Sequence, residues 1–151
     1  MTQNEEKLLD IAKDIIDMNQ DISAKLTGSL MLAVRGVNKR REALDIDIIC
    51  DCMCEKAPGY PNVPKGFKLI DIDGSKSQVE AIRFVNSEGI KVEFMQSEED
   101  VELINGIRCC NVDNLIEAKG FYVKNDKYMF SILKHKDDLE YLFEHNPELN
   151  K

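Results

Sequence analysis

The sequence lacks the features expected of a membrane, secreted or nucleic-acid-coating protein. None of its apolar runs approaches the roughly 20 residues that a membrane-spanning helix needs, so we expect no membrane partner. Residues 1–6 are acidic and lack the basic and then apolar order of a secretory signal, which favours a cytoplasmic location. A net charge of -8 argues against a surface that binds nucleic acid throughout, although a local basic patch can still bind phosphates.

The cysteines do not form a recognisable framework. Their number, five, is odd, and in an expected cytoplasmic chain this argues against disulfides. Cys50, Cys52 and Cys54 alternate along one segment but lack the Cys-x-x-Cys spacing typical of zinc sites. Two interpretations stay open, thiols buried in the fold or a thiol-based metal site. Elemental analysis of the purified protein would separate them.

A composition of 43% hydrophobic and 32% charged residues fits a globular chain with one domain, residues 1–151. Apolar residues recur at helical spacing near both ends of the chain, and the sequence between them alternates as strands do. This order predicts an α/β (α+β) fold, a mixed β-sheet with flanking helices. We predict an N-terminal helix in residues 1–22, the sheet core in residues 23–110 and C-terminal helices in residues 111–151.

Two aspartates in an apolar run are the strongest chemical signal. Asp45 and Asp47 alternate with Ile46 and Ile48, so on a strand both carboxylates point to one face. Two such carboxylates can hold a pair of Mg²⁺ ions about 3.5–4 Å apart, the arrangement used for in-line phosphoryl transfer. The alternative is an edge strand with a solvated acidic face.

A glycine and a serine precede this strand. Gly28 permits an unusual backbone turn, and Ser29 is a favoured N-cap for an apolar helix that runs through Arg35 and stops at Gly36. The N-terminus of such a helix presents free backbone N–H groups and the positive end of its dipole. We therefore predict an anion site at Gly28 and Ser29, beside the aspartates.

Basic residues cluster between this turn and the aspartates, at Arg35, Lys39, Arg40 and Arg41. In one interpretation they form a solvated loop that balances nearby acids. In the other they contact the phosphates of a nucleotide or an acidic acceptor, because guanidinium groups match phosphate geometry. The sequence does not choose between the two.

Turn signals predict two hairpins and one further helix. Asn86 to Gly89 and Asn105-Gly106 each join two strand-like segments. Asn111 or Asp113 is predicted to cap a helix that ends at Gly120 or slightly beyond it.

Two more segments are interpreted as connections. Residues 55–66 hold three of the four prolines and are predicted to form a loop at the rim of the pocket. Phe67 to Ile72 could form a strand, and Asp71 and Asp73 form a second Asp-x-Asp, which we interpret as no site because Asp73-Gly74-Ser75 predicts a turn.

Together these motifs resemble the nucleotidyltransferase superfamily with the DNA polymerase beta-like fold. The resemblance is carried by Gly28-Ser29, by the basic residues that end at Arg41, and by Asp45-Ile46-Asp47. More narrowly, the helix segment Asp113 to Lys119 looks like the abortive-infection branch, which includes toxins of toxin-antitoxin pairs. Ser29 stands where that branch usually has a second glycine.

The resemblance implies further site residues. The superfamily places a third carboxylate on a strand downstream of the aspartates, and Glu93 takes that position here, where the family most often has an aspartate. In the family, this third carboxylate binds a metal ion together with the aspartates or accepts the proton of the acceptor hydroxyl. Lys119 matches a helix lysine that reaches the triphosphate, and Lys134 matches the lysine of a C-terminal Lys-Asp-x-x-Asp pattern.

The implied activity is that of a metal-dependent nucleotidyltransferase, which moves a nucleoside monophosphate from a nucleoside triphosphate to an acceptor and releases pyrophosphate. The implied cofactors are two Mg²⁺ ions on Asp45, Asp47 and Glu93, and the implied nucleotide-binding residues are Gly28, Ser29, Arg41, Lys119 and Lys134. The sequence does not fix the acceptor, which could be a small molecule, an RNA or a protein. The alternative is a catalytically weak or inactive binding protein of the same fold, with an antitoxin as its partner.

Overall fold

A computed structural model describes residues 1–53, 61–75 and 78–150 of the chain. This part of the chain forms four α-helices: α1 (Gln3–Met18), α2 (Gly28–Val34), α3 (Val112–Asn125) and α4 (Met129–His145). The described residues also form seven strands: β1 (Lys25–Thr27), β2 (Ile46–Cys50), β3 (Lys68–Ser75), β4 (Gln78–Val85), β5 (Lys91–Gln96), β6 (Glu102–Ile104) and β7 (Ile107–Cys109). Short 3-10 helices lie at Gln20–Ile22 and Pro147–Asn150.

The strands form one mixed sheet in the order β3-β4-β5-β2-β1-β7-β6. β2 runs parallel to β5, and β1 runs parallel to β7, whereas the other neighbouring pairs are antiparallel. The mixed sheet and its helices confirm the predicted α+β fold class. β2, which carries Asp47, lies in the middle of the sheet between β1 and β5.

The hydrophobic core joins α1, α2 and the central strands. The apolar residues of α1 recur every three or four positions, and Leu8 and Ile15 among them are buried in this core. Ile46 and Ile48 of β2 are fully buried in the same core. Because side chains alternate along a strand, Asp47 points to the opposite face of the sheet.

Polar contacts hold the end of α4 against the loop between α2 and β2. The Asn146 side chain accepts a hydrogen bond from the Asn38 N–H at 3.0 Å and donates one to the Asn38 carbonyl at 2.8 Å. Asp138 of α4 forms ion pairs with Arg40 and Arg41 of the same loop. These contacts bring the C-terminal helix against the basic segment, although about 100 positions separate the two in the sequence.

Both predicted hairpins are confirmed. β4 and β5 pair antiparallel across the turn from Asn86 to Gly89. β6 and β7 pair across Asn105 and Gly106, whose φ angles of 53° and 78° are those of a tight two-residue turn. Asn111 is the N-cap of α3, with its side chain accepting the Asn114 N–H at 2.8 Å.

Two helix boundaries differ from the prediction. Thr27 is the N-cap of α2, and its side chain makes no capping hydrogen bond. Ser29 is therefore not the N-cap, because the helix already begins at Gly28 and Ser29 lies inside it. α3 continues past Gly120 to its end at Asn125, since its packing against α4 offsets the helix penalty of one glycine, roughly 1 kcal/mol.

The second Asp-x-Asp differs from the prediction in part: Asp71 lies on the predicted strand, but β3 continues through Asp73 to Ser75, where a turn is predicted. Both residues pair with β4 in the register of the sheet. The first half of the predicted proline-rich loop, up to residue 60, and Cys54 lie outside the described residues. In the part of the chain that is described, no helix has both the length and the apolar character needed to cross a bilayer.

Candidate active site

Four polar side chains form a row across one face of the sheet. Asp47 of β2 is the register partner of Glu93 on the parallel strand β5. Glu93 is in turn the partner of Arg83 on β4, and Arg83 is the partner of Asp71 on β3. Register partners on adjacent strands point to the same face and lie about 4.8 Å apart in the hydrogen-bonding direction. We call Asp71, Arg83, Glu93 and Asp47 the polar row.

Gly28 packs directly on the Asp47 end of the polar row. A Cβ atom at Gly28 would overlap Oδ2 of Asp47 and lie 3.1 Å from the Asp47 Cγ. The φ angle of Gly28 is +72°, a backbone conformation that favours glycine. The Gly28 turn and the Asp47 carboxylate therefore fit together only because position 28 has no side chain.

Asp47 has an unusual proton affinity. Burial of its carboxylate, together with the neighbouring charges of Glu93 and Asp45, raises the pKa of Asp47 to about 7. The positive charges of Lys119 and Lys134 act in the opposite direction. All four of these predicted site residues therefore lie within electrostatic reach of Asp47, and acidic groups with shifted pKa values cluster at functional sites.

The Glu93 carboxylate is bound by an arginine. Nε of Arg83 lies 2.5 Å from Oε2 of Glu93. The other two nitrogens of the guanidinium lie 2.9 Å from Asp71 and 2.9 Å from Asp73. Hydrogen bonding, to Asp73 most strongly, raises the pKa of Arg83 against the opposing effect of burial. Arg83 thus joins three carboxylates from two flanking strands.

A second cluster lies where α3, α4 and the loop before β2 meet. Nζ of Lys119 lies 3.1 Å from Asp138, Nη2 of Arg41 lies 2.9 Å from the same carboxylate, and Nε of Arg40 lies 3.0 Å from it. We call Arg40, Arg41 and Lys119 the cation cluster. Burial is the largest cause that lowers the pKa of Lys119. Although burial opposes it, the cation cluster holds the pKa of Asp138 below its usual range.

The cation cluster and Ser29 line one small cavity with a volume of about 10 Å³. That volume is about enough for a single water molecule. A triphosphate could therefore enter this cavity only after Asp138 has moved, although the Arg41 side chain is 43% exposed at its edge. The structure thus brings three predicted nucleotide-binding residues together, Ser29, Arg41 and Lys119, but with a carboxylate already among the cations.

The predicted metal ligands are arranged less completely. Asp45 lies one residue before β2 and is exposed, whereas Asp47 is half-buried on the strand. Both offer the hard oxygen ligands that Mg²⁺ prefers. Within residues 1–53, 61–75 and 78–150, however, no three His, Cys, Asp or Glu side chains stand close enough to hold a metal ion. Asp45 and Asp47 thus supply oxygen donors but form no complete metal site with a third ligand among the described residues, and the Glu93 carboxylate is engaged by Arg83.

Three of the four described cysteines fit the interpretation of buried thiols, and Cys52 is half-buried. Cys50, Cys109 and Cys110 are buried, and burial raises the pKa of Cys50 and of Cys110 to about 12 each. A thiol with so high a pKa is a poor metal ligand and a poor nucleophile, because both roles require the thiolate. β2 ends at Cys50, so Cys52 does not extend the strand as the alternation predicts.

Sequence reasoning missed Tyr122, which lies on α3 next to the polar row. Burial, and then the charges of Glu93 and Asp47, raise the pKa of its hydroxyl. Its ring stacks on His135 of α4, with the ring centroids 5.0 Å apart and the planes inclined by 26°. Tyr122 lies two residues after Gly120, where the sequence predicts the helix to end. Tyr122 was therefore not predicted as a site residue.

Arg83 was also missed, although a signal for it exists in the sequence. In the β4–β5 hairpin, Val85 pairs with Lys91, so two steps away from the turn Arg83 faces Glu93. Side chains two residues apart on a strand point to the same face. Counting outward from the predicted turn would therefore have placed this arginine beside the predicted third carboxylate.

Comparison with known proteins does not identify the chemistry of this site. No protein-family model matches the chain. No curated protein matches it either. Among solved structures, one named as a putative nucleotidyltransferase from H. pylori aligns with a TM-score of 0.44 and 17% sequence identity, over 98% of this chain and 83% of that chain. The chemistry of the site must therefore be inferred from its own residues.

Proposed function

We propose that this chain is a metal-dependent nucleotidyltransferase, which transfers a nucleoside monophosphate from a nucleoside triphosphate to an acceptor hydroxyl. One observation carries the proposal: Asp47 lies in register with Glu93, packs on the Gly28 turn, and is within electrostatic reach of Lys119 and Lys134. Carboxylates for a cation and basic residues for phosphates thus surround one position on the sheet.

The proposed reaction is an in-line displacement at phosphorus. The acceptor oxygen forms a bond to the α-phosphorus, and the bond from that phosphorus to the bridging oxygen of the β-phosphate breaks. The electron pair of the broken bond leaves with pyrophosphate, and the acceptor proton passes to the carboxylate of Glu93.

Asp45 and Asp47 are the proposed cation ligands, with Glu93 as the third carboxylate. The resemblance implies two Mg²⁺ ions, and bound Mg²⁺ would neutralise charge on the phosphates and favour ionisation of the attacking hydroxyl. Both aspartates supply oxygen ligands, and their negative charges attract a divalent cation at long range.

The cation cluster is the proposed triphosphate site. Lys119 and Arg41 would bind the β- and γ-phosphates once Asp138 has moved, since three cations lie around a position that a phosphate oxygen would occupy. Ser29 lines the same cavity and offers a hydroxyl donor, and Lys134 contributes positive charge from α4. The two sites would thereby hold neighbouring parts of one triphosphate.

Calorimetric titration with each nucleoside triphosphate and Mg²⁺ tests the proposal. We expect binding in the wild type that is lost in the Asp45→Asn, Asp47→Asn double variant. The matched control is Asp10→Asn, Asp14→Asn, which removes two exposed carboxylates of α1 and should bind as the wild type does. Nucleotide binding that is unchanged in the Asp45→Asn, Asp47→Asn variant would contradict the assignment of the site.

A second candidate function is a binding protein with the same fold and little or no turnover, for which an antitoxin would be the partner. The ion pair between Arg83 and Glu93 favours it, because a neutralised third carboxylate is a weaker metal ligand and a weaker base. Binding of nucleotide without release of pyrophosphate in the presence of cell extract would support this candidate over the transferase.

A further inference from the structure

Arg83 lies beside the proposed site but has no part in the proposed reaction. We propose that Arg83 is a positioning residue whose fixed positive charge takes the place of a second metal ion beside Glu93, so that the site binds one divalent cation, at Asp45 and Asp47. The inference rests on the proposed function and specifies its metal content. It gives Asp71 and Asp73 a role as well, because they hold the arginine in place.

The contacts of Arg83 account for its fixed position. Each of its three guanidinium nitrogens faces a different carboxylate, at 2.5 Å from Glu93, 2.9 Å from Asp71 and 2.9 Å from Asp73. The three acids lie on the strands either side of β4, so the guanidinium is held from both sides on one face of the sheet. A planar donor with contacts on all of its nitrogens cannot turn away without breaking several charged hydrogen bonds.

The position of this charge decides what else Glu93 can bind. A carboxylate oxygen that accepts a charged hydrogen bond at 2.5 Å is occupied by its donor, and its negative charge is partly offset by that donor. A divalent cation on the same carboxylate would lie next to the guanidinium and be repelled by it. Asp45 and Asp47 have no such arginine partner among the described contacts, and they remain available to one cation.

The length of the Glu93 side chain fits this arrangement. A glutamate carries its carboxylate one methylene farther from the backbone than an aspartate does, which lets it reach toward the guanidinium on β4. The glutamate at this position thus has a structural explanation in its arginine partner.

Binding of Mn²⁺ to the metal-free protein, followed by electron paramagnetic resonance, tests the inference. We expect the wild type to bind one Mn²⁺ per chain. Arg83→Gln should bind a second Mn²⁺, or bind the first roughly tenfold more tightly, since second-shell changes alter metal affinity by 10–100-fold. This gain in Mn²⁺ binding should disappear in the double variant Arg83→Gln, Glu93→Gln. It should also be absent in Arg83→Lys, which keeps the positive charge.

Arg108→Gln is the matched control, because Arg108 is also a half-buried strand arginine but bonds to Ser23 and to the Ala24 carbonyl at the far side of the sheet. It should bind Mn²⁺ as the wild type does. If Arg83→Gln does not fold, the single variant Glu93→Gln tests whether Glu93 is a metal ligand. A change in Mn²⁺ affinity below about threefold supports the inference, and a loss of tenfold or more overturns it.

Two outcomes separate this inference from the proposed function. If Mn²⁺ binding depends on Asp45 but Arg83→Gln behaves as the wild type does, or if the wild type already binds two ions, only the inference about Arg83 is wrong. If Mn²⁺ binding survives Asp45→Asn, Asp47→Asn, or if the wild type binds no Mn²⁺, the proposed function and the inference both fail.

Discussion

Gly28 packs so closely on the Asp47 carboxylate that position 28 has no room for a side chain. A Cβ at position 28 would overlap the Asp47 carboxylate, and the glycine also has a φ angle of +72°. The first residue of α2 therefore packs directly on the middle strand of the sheet. This contact links the Gly-Ser motif to the Asp-x-Asp motif in physical terms.

Substitution of Gly28 should therefore damage the site and the fold together. Gly28→Ala adds backbone strain of roughly 1–2 kcal/mol and a steric overlap with Asp47, so we expect a loss of at least about 2 kcal/mol in the free energy of unfolding. Divalent-cation binding should weaken as well, because Asp47 must move. Urea denaturation and Mn²⁺ titration measure the two effects.

Gly36 provides the control for this prediction. Its φ angle of +70° is nearly the same, but a Cβ there would meet nothing within 4 Å. Gly36→Ala should therefore lose only the strain, roughly 1 kcal/mol, and keep its cation binding. Equal losses in both variants would show that the contact with Asp47 is unimportant.

The raised pKa of Asp47 predicts a pH-dependent loss of stability. The folded carboxyl keeps its proton up to a pH of about 7, whereas the unfolded one releases it near 3.8. The folded state then binds more protons over that interval, so stability declines as the pH rises from about 4 to about 7. Asp47→Asn removes this decline, and in metal-free buffer at pH 8 it should exceed the wild type by on the order of 2 kcal/mol.

Melting curves in chelator at several pH values would measure this difference. Asp14→Asn, on the exposed side of α1, should follow the wild type at every pH. A wild type and an Asp47→Asn variant with parallel pH profiles would show that Asp47 ionises normally in the fold.

Asp138 should compete with phosphates for the cation cluster. Asp138→Asn leaves Lys119, Arg40 and Arg41 without their shared anion, and we expect it to cost roughly 2–3 kcal/mol in the free energy of unfolding. Tripolyphosphate should raise the melting temperature of this variant by more than it raises that of the wild type. Asp137→Asn, at the exposed neighbouring position, should behave as the wild type does. A larger gain in the wild type would contradict the competition.

Glu5 should stabilise the fold at all but low pH. Burial alone would raise its pKa, but hydrogen bonds from Lys39 and from the Ala43 and Thr2 N–H groups lower it to about 2. Because the unfolded side chain has a pKa near 4.5, this contribution is complete above pH 4.5 and is lost as the pH falls toward 2. Glu5→Gln should melt below the wild type at pH 7 and approach it at pH 3, whereas the exposed Glu6→Gln should show little change.

The parts of the fold that the sequence predicts best are those set by local chemistry. Asn105 and Gly106 both adopt positive φ angles, which few other residue pairs allow. The hairpin between β6 and β7 could therefore be predicted from these two residues. The periodicity of α1 predicts the side that is buried, as Leu8 and Ile15 show. Boundaries were harder to predict, because Gly120 is retained inside α3 by packing against α4, a contact that no local pattern contains.

The candidate site likewise has features that local motifs predict and features that depend on contacts between distant parts of the chain. The shared face of Asp47 and Glu93 depends on two strands being neighbours, and the separate motifs predict their roles but not their register. The placement of Asp138 among three cations brings together residues about 100 positions apart, which spacing cannot reveal. Asp73 was interpreted as the start of a turn because Gly74 follows it, and the pair Asp71 and Asp73 as no site, yet Arg83 on the next strand holds both.

The transfer of a nucleoside monophosphate is tested most directly by the position of the label. The protein is incubated with Mg²⁺ and cell extract, and with nucleoside triphosphate labelled at either the α- or the γ-phosphate. The account predicts that α-label enters an acceptor, that γ-label appears in pyrophosphate, and that both signals vanish in Asp45→Asn, Asp47→Asn. Transfer of γ-label to an acceptor, or α-label transfer that persists in the double variant, would contradict it.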